Sequence, residues 1–227
     1  MLIYVILLII LLIYINNKSI EKMSDDSHET NASHINYGLK VIDELFNKND
    51  IYYTIAYGTL LGAVRHWGMI PWDDDADINV LKKDFNKIVS LKDEFKKRGL
   101  ILEVEWKLIK IYFNEEKFPF IDIFINDIED GKIIRCREDF NKCKQMPKDA
   151  KWWWKWLNYP AKWILERKRF KFNNLELWGP KYAEKVLKFW YGEKCLVECF
   201  TASLDHITGD VLEAKKIGCS KLPKPQL

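Results

Sequence analysis

An α+β fold is what the pattern of this chain predicts, and three observations carry the prediction. Apolar residues first recur at helical spacing in Ile35, Leu39, Ile42, Leu45 and Phe46. Runs of β-branched and aromatic residues then alternate with further amphipathic stretches through the middle of the chain. After them comes a stretch rich in Trp and basic side chains, whose apolar positions again follow a helical stripe.

Taken in order, the first helix ends around Asn47 to Asp50, where polar turn residues accumulate. Ile51 to Tyr57 reads as a strand leading directly into Gly58 and Thr59. Gly58 to Arg65 then reads as a turn opening a short helix, whose exposed N–H groups suit phosphate oxygens. Asp75 to Val80 is a strand, and Lys82 to Lys97 is a helix through Phe85, Ile88, Val89, Leu91 and Phe95, stopped by Gly99. Leu100 to Trp106, Leu108 to Phe113 and Phe118 to Ile125 are further strands. From Lys151 through Trp152, Trp153, Trp154 and Trp156 to Leu165, and on to Arg169, the expectation is a Trp-rich helical part. It either covers the sheet or presents indoles to sugars or headgroups.

The 227 residues suffice for one sizeable domain. A net charge of +3, with basic and acidic residues interleaved, argues against nucleic acid as a partner. Leu2 to Ile15 is an unbroken apolar run, shorter than the roughly 20 residues that span a bilayer. It is expected to be a single-pass membrane anchor, with a signal peptide or a buried segment as alternatives. Lys18 and Lys22 favour a cytoplasmic side for the rest of the chain, while the triplets Asn17-Lys18-Ser19 and Asn31-Ala32-Ser33 favour the opposite one. Five cysteines leave at least one outside any internal pairing. Cys136 with Cys143 and Cys195 with Cys199 leave open a structural Zn²⁺ knot, a disulfide or buried thiols.

The chemistry concentrates at Asp73, Asp75 and Asp77, which share one face if the stretch is extended and whose mutual repulsion asks for a cation. A lone carboxylate, Asp122, interrupts the apolar run Phe120-Ile121-Asp122-Ile123-Phe124 and must also meet a cation to be tolerated there. Asp75, Asp77 and Asp122 therefore suit Mg²⁺ or Mn²⁺ in phosphoryl transfer. Gly58 lets backbone approach a phosphate, Thr59 offers a hydroxyl and an N–H, and Arg65 suits a bidentate grip on phosphate. His66 is a base, a phosphate ligand or a structural donor. An EF-hand loop would need Gly at Ile78. An Asp-x-Asp glycosyltransferase and a tethered glycan-binding protein with a decayed site remain as alternatives.

The unbroken segment Tyr57-Gly58-Thr59-Leu60-Leu61-Gly62-Ala63-Val64-Arg65-His66-Trp67-Gly68-Met69-Ile70-Pro71-Trp72-Asp73-Asp74-Asp75-Ala76-Asp77-Ile78 resembles the signature of the LicD family. Ile121-Asp122-Ile123-Phe124 is similar to the family's downstream acidic strand, and Trp178-Gly179-Pro180, Tyr182 and Tyr191-Gly192 resemble its looser C-terminal pattern. Trp67 stands where the family often has a basic residue. The resemblance implies a nucleotidyltransferase-like mixed sheet with flanking helices. It also implies transfer of a phospho-alcohol such as phosphocholine or ribitol phosphate from a CDP-activated donor to a glycan hydroxyl, with release of CMP. On this chain it makes Gly58 and Thr59 the phosphate-side turn, Asp75 and Asp77 metal ligands, Asp122 the third carboxylate and Asp73 an auxiliary ligand. The expected organisation is an anchor or signal over 1–16, a flexible stem over 17–34 and a catalytic domain over 35–227.

Overall fold

The computed structural model describes residues 31–105, 108–135, 159–200, 213 and 215–219. Among them the first element is a helix, α1, over 31–48, whose Ile35, Leu39, Ile42, Leu45 and Phe46 are all buried. A six-stranded sheet comes next, built from β1 (Tyr53–Ile55), β2 (Asp75–Leu81), β3 (Ile101–Val104), β4 (Ile109–Tyr112), β5 (Phe120–Glu129) and β6 (Lys132–Arg135). Its order is β1-β2-β5-β4-β3, with β6 pairing the far half of β5. Only the β2–β5 pair is parallel, so the sheet is mixed, as expected. A parallel pair needs a long crossover, and α3 (Phe85–Ser90), α4 (Lys92–Lys97), β3 and β4 provide it.

Alternation along β2 and β5 gives the sheet two unlike faces. Ala76, Ile78, Ile121 and Ile123 are fully buried, and α1 lies close on this side. A Cβ added at Gly38 would stand 2.7 Å from Ile121 Cδ1 and from Phe113 Cζ, so a larger side chain there would displace these two tips. Phe46 meets Tyr53 and Phe95 edge to face, tying α1 to β1 and α4. The opposite face carries Asp75, Asp77 and Asp122, then the amide pair Asn79 and Asn126. The Asn126 amide donates to Asn79 Oδ1 at 2.9 Å, and both residues are buried. Over this face lie α2 (Tyr57–His66) and α6 (Ala183–Tyr191), joined to it where Tyr57 packs on Phe124 and on Trp190.

Several boundaries differ from expectation for local reasons. The predicted helix over Lys82 to Lys97 is a single 3₁₀ turn at Lys82–Asp84 followed by α3 and α4, which meet at a break after Ser90. The described C-terminal part is less helical than the Trp pattern suggests. After the one-turn helix α5 (Lys162–Leu165), Arg167–Phe172 (β7) and Leu175–Pro180 (β8) form an antiparallel hairpin. Asn173 and Asn174 make its two-residue turn, and Asn173 takes a φ of 52°, which Asn tolerates better than most residues. Alternation of Lys and Arg with Phe is strand chemistry there. The hairpin is held to α1 by Arg169, which donates to Asp43 Oδ1 at 2.6 Å. Trp152, Trp153, Trp154 and Trp156 lie outside the described residues.

Two further expectations are corrected. No helix among the described residues is long and apolar enough to cross a membrane, so a single-pass N-terminal anchor is not supported. The run Leu2 to Ile15 on which it rested lies outside the described residues, and it falls short of the roughly 20 residues a span requires. The zinc knot loses a ligand because Cys199 is joined to Cys219 in a disulfide, while Cys195 is a buried free thiol. Cys136 and Cys143 lie outside the described residues. The disulfide stands beside the short pair β9 (Cys199–Phe200) and β10 (Lys216–Ile217) and closes a sequence separation of 20 residues. Loop-closure entropy for such a span gives about 3 kcal/mol. Cys219→Ser is therefore expected to lower the urea midpoint, and adding reductant to the parent protein should reproduce the loss. Equal midpoints for parent and variant under oxidising conditions would contradict it.

Candidate active site

Asp77 is fixed through its own peptide. Its N–H donates to Thr59 Oγ1 at 2.8 Å, and its carbonyl accepts from the Ala56 N–H at 2.9 Å. The start of α2 thus clamps the middle of the acidic strand, and Thr59, almost fully buried, is a positioning residue for Asp77. Asp75 lies two residues before Asp77 on the same face of β2, and Asp122 lies directly opposite Asp77 across the parallel pair. Register therefore brings one oxygen of each of Asp75, Asp77 and Asp122 within 4.8 Å of the others. Among the described residues this is the one group of three or more His, Cys, Asp or Glu side chains placed to share an ion. All three are half-buried, and carboxylates so arranged fit a hard divalent cation with oxygen ligands.

The cation that Asp122 was expected to meet includes one from the protein itself. Lys110, its cross-strand partner on β4, donates to Asp122 Oδ1 at 2.6 Å, and the two side chains are 17% and 13% exposed. The same ammonium lies 3.6 Å from the centre of the Phe120 ring. Lys110 escaped the sequence pattern although it mirrors Asp122, a lone charge between Ile109 and Ile111 in an apolar strand. Only the register of β4 on β5 brings the two together.

Asp73 is placed differently from Asp75 and Asp77. It precedes β2, in a loop where its N–H bonds to the Ile70 carbonyl at 2.9 Å, and it is not in the three-carboxylate group. Its Oδ2 would be 2.9 Å from a Cβ added at Gly58, so the missing side chain at Gly58 makes room for the Asp73 carboxylate. Gly58 lies in the first turn of α2, before the first intrahelical bond from the Leu60 N–H to the Ala56 carbonyl at 2.9 Å. The preceding N–H groups have no acceptor within the helix, which is where a helix meets anions.

Arg65 and His66 occupy the last turn of α2. Burial lowers the Arg65 pKa, and Asp73, Cys195 and Tyr191 around it act in the other direction. Its Nε is buried without a hydrogen-bond partner among the described residues. The ring of His66 gives its Nε2 hydrogen to the Met69 carbonyl at 3.1 Å, while Nδ1 is buried without a partner among the described residues. This bond fastens the loop that leads into β2. Burial pushes the His66 pKa down, with the Met69 bond opposing and Arg65 adding to the effect. The unfolded imidazole takes its proton near about pH 6.5, before the folded one does. Stability is then full above that pH and declines as pH falls through the window down to the folded pKa. Urea midpoints at about pH 7.5 and about pH 5.5 should differ less in His66→Gln than in the parent. An unchanged difference would remove His66 as the source.

Tyr191, at the C-terminal end of α6, is a second residue whose place the sequence did not reveal. Burial and then the charges of Asp77, Asp73 and Asp75 push its phenol pKa well up, although 40% of the residue's surface is exposed. Its neighbour Trp190 packs on Tyr57 with ring centres 4.3 Å apart, which brings the end of α6 to the start of α2 and so to the acidic face. The Tyr-Gly pair at 191–192 was the signal available in the sequence, and it gave no direction toward the carboxylates.

Comparison with known proteins places the chain in a family. The family model described as LicD/FKTN/FKRP, nucleotidyltransferase domain, matches residues 50–182, which include the clamp and all three carboxylates. The protein RT0683 of Rickettsia typhi is 35% identical over 142 residues, 63% of this chain and 40% of its own length. The lipopolysaccharide cholinephosphotransferase LicD of Haemophilus influenzae is 29% identical over 128 residues, 44% of this chain and 48% of its own. The human ribitol 5-phosphate transferase FKRP is 29% identical over 79 residues, 32% of this chain and 16% of its own. The chain thus spans less than half the length of each of these relatives. Among solved structures, the lincomycin-bound lincosamide antibiotic adenylyltransferase LnuA covers 67% of this chain and 92% of its own at 13% identity and a TM-score of 0.38, too distant to carry an argument.

Proposed function

This chain belongs to the LicD/FKTN/FKRP nucleotidyltransferase-domain family, and from that premise we propose that it is a phosphotransferase. It moves a phospho-alcohol, such as phosphocholine or ribitol phosphate, from a CDP-activated donor to a glycan hydroxyl. The bond between the transferred phosphorus and the bridging oxygen breaks, CMP leaves, and the acceptor oxygen forms the new phosphodiester as its proton departs. Support comes first from one observation: three carboxylates on adjacent strands, with Asp77 clamped through its peptide by Ala56 and Thr59.

Asp75, Asp77 and Asp122 would hold Mg²⁺ or Mn²⁺, which would neutralise pyrophosphate charge and orient the donor when bound. Three carboxylates and the Lys110 ammonium sum to −2, a charge that one divalent cation cancels. Lys110 holds Asp122 Oδ1 from the β4 side, while Asp77 faces Asp122 from β2. The N–H groups in the first turn of α2, bare of side chain at Gly58, are positioned to donate to phosphate oxygens. Arg65, with a buried Nε lacking a described partner, supplies a planar fork for the same anion, and Asp73 orients it. The Nε2 hydrogen of His66 is committed to the Met69 carbonyl, which gives this ring a positioning role in the loop before β2.

CDP-choline, CDP-ribitol and CDP-glycerol, each offered with mixed glycans and Mg²⁺ or Mn²⁺, should release CMP and leave a phosphodiester on the glycan. A donor should also raise the melting temperature by mass action. If the folded protein neither turns over nor binds any CDP-alcohol, the assignment fails.

A further inference from the structure

At the other end of α6 from Tyr191 lies a cleft of about 590 Å³, a size typical of small-ligand sites. Four lysines line it, Lys168 from β7, Lys181 just before α6, and Lys185 and Lys188 from α6 itself, against the single carboxylate of Glu184. Two of the lysines are already neutralised. Lys181 pairs with Glu166 at 2.8 Å, and Lys188 pairs with Glu184 at 2.8 Å and Glu193 at 3.3 Å. Lys168 and Lys185 are exposed, and neither forms an ion pair among the described residues. Two half-buried aromatic rings share the cleft: Lys168 lies 4.9 Å from the Phe170 ring and Lys185 lies 5.4 Å from the Tyr182 ring.

We propose that this cleft holds an acidic saccharide unit of the acceptor, one bearing a carboxylate or a phosphate, which rests on the phosphotransferase function proposed for the carboxylate centre. Aromatic faces beside ammonium groups are the chemistry that receives a sugar ring together with its anionic substituent. The two lysines without counter-ions supply the charge a neutral saccharide would leave uncompensated. Position assigns the cleft to the acceptor side. Lys185 and Tyr191 lie on one helix, six residues and so about 9 Å apart along its axis, a span of one or two sugar units. α2 and α6 border both regions: Tyr57 and Trp190 meet at the acidic end, while Val64 and Ala183 line the cleft at the other end of the same two helices.

The test compares oligogalacturonate and mannose 6-phosphate with neutral maltoheptaose by calorimetry, on the parent and on Lys168→Ala/Lys185→Ala, with CDP-choline binding measured in parallel. Both acidic saccharides should bind and maltoheptaose should not. The double variant should bind them at least about tenfold more weakly while its affinity for CDP-choline is unchanged. Acidic saccharides that bind parent and double variant alike would overturn the proposal, as would inorganic phosphate competing as well as the saccharides do. A protein that binds the acidic saccharides through these lysines but no CDP-alcohol would keep the cleft and remove the phosphotransferase assignment.

Discussion

Asp77→Asn should lose about 10³-fold in CMP release, roughly 4 kcal/mol of transition-state stabilisation, with the fold intact. The substitution is isosteric, and the two bonds that hold residue 77 run through its backbone, to Thr59 and from Ala56. What it removes is one of three charges gathered within 4.8 Å. Relief of that repulsion should leave the melting temperature in metal-free buffer unchanged or raised, since like charges at such separations repel by roughly 3 kcal/mol at the effective dielectric near a protein surface. Mg²⁺ or Mn²⁺ should stabilise the parent and not the variant. The pair of readouts separates a lost ligand from a damaged fold: lower thermal stability without metal would point to damage, and retained turnover would remove Asp77 from the centre.

Gly62→Ala is expected to cost about 3 kcal/mol of stability, the upper end for forced overpacking. A Cβ at Gly62 would lie 2.3 Å from the Gly68 carbonyl oxygen and 3.4 Å from the Ile70 nitrogen. These are backbone atoms of the loop between α2 and β2, and no side-chain rotation can relieve the contact. The loop is also tied down on its other side, where the Asn173 N–H donates to the Trp67 carbonyl at 2.6 Å and His66 holds the Met69 carbonyl. The melting temperature should therefore drop by about 6 to 12 °C for a domain of this size. Because the loop delivers Asp73 and then Asp75, activity should fall further than the folded fraction does. A shift below about 2 °C would mean that the loop gives way at little cost.

The sequence was most legible where function and local geometry coincide. Asp75 and Asp77 share a face because β2 is extended, and a period of two is a local property. Asp122 was legible as a charge out of place in an apolar strand, but its partner Lys110 was not, because pairing across strands depends on a register that neither strand encodes alone. The same limit hid Tyr191, which reaches the acidic face only through the packing of α6 on α2. Asp73, expected as an auxiliary ligand, differs in another way. Alternation extended back from Asp75 grouped it with the cluster, whereas the turn before β2 directs it to Gly58 and Arg65. The β7–β8 hairpin was missed because basic residues between aromatics satisfy a helical stripe and a strand alternation equally well, and the Asn173-Asn174 turn decides between them.

The amide pair Asn79 and Asn126 bears on how reliably the chain finds this arrangement. Each lies on the acidic face beyond the carboxylates, and each is buried. A slip of β5 by one residue would send Asp122 into the layer beneath α1 and separate the two amides, leaving charged and polar groups in hydrocarbon. The isoleucines of β5 could slide past those of β2 with little to distinguish one alignment from the next. The asparagines cannot, so they act as a proofreading mark. The alignment that joins the Asn126 amide to Asn79 Oδ1 is the one that sets Asp77 opposite Asp122, and a slipped register forfeits that bond.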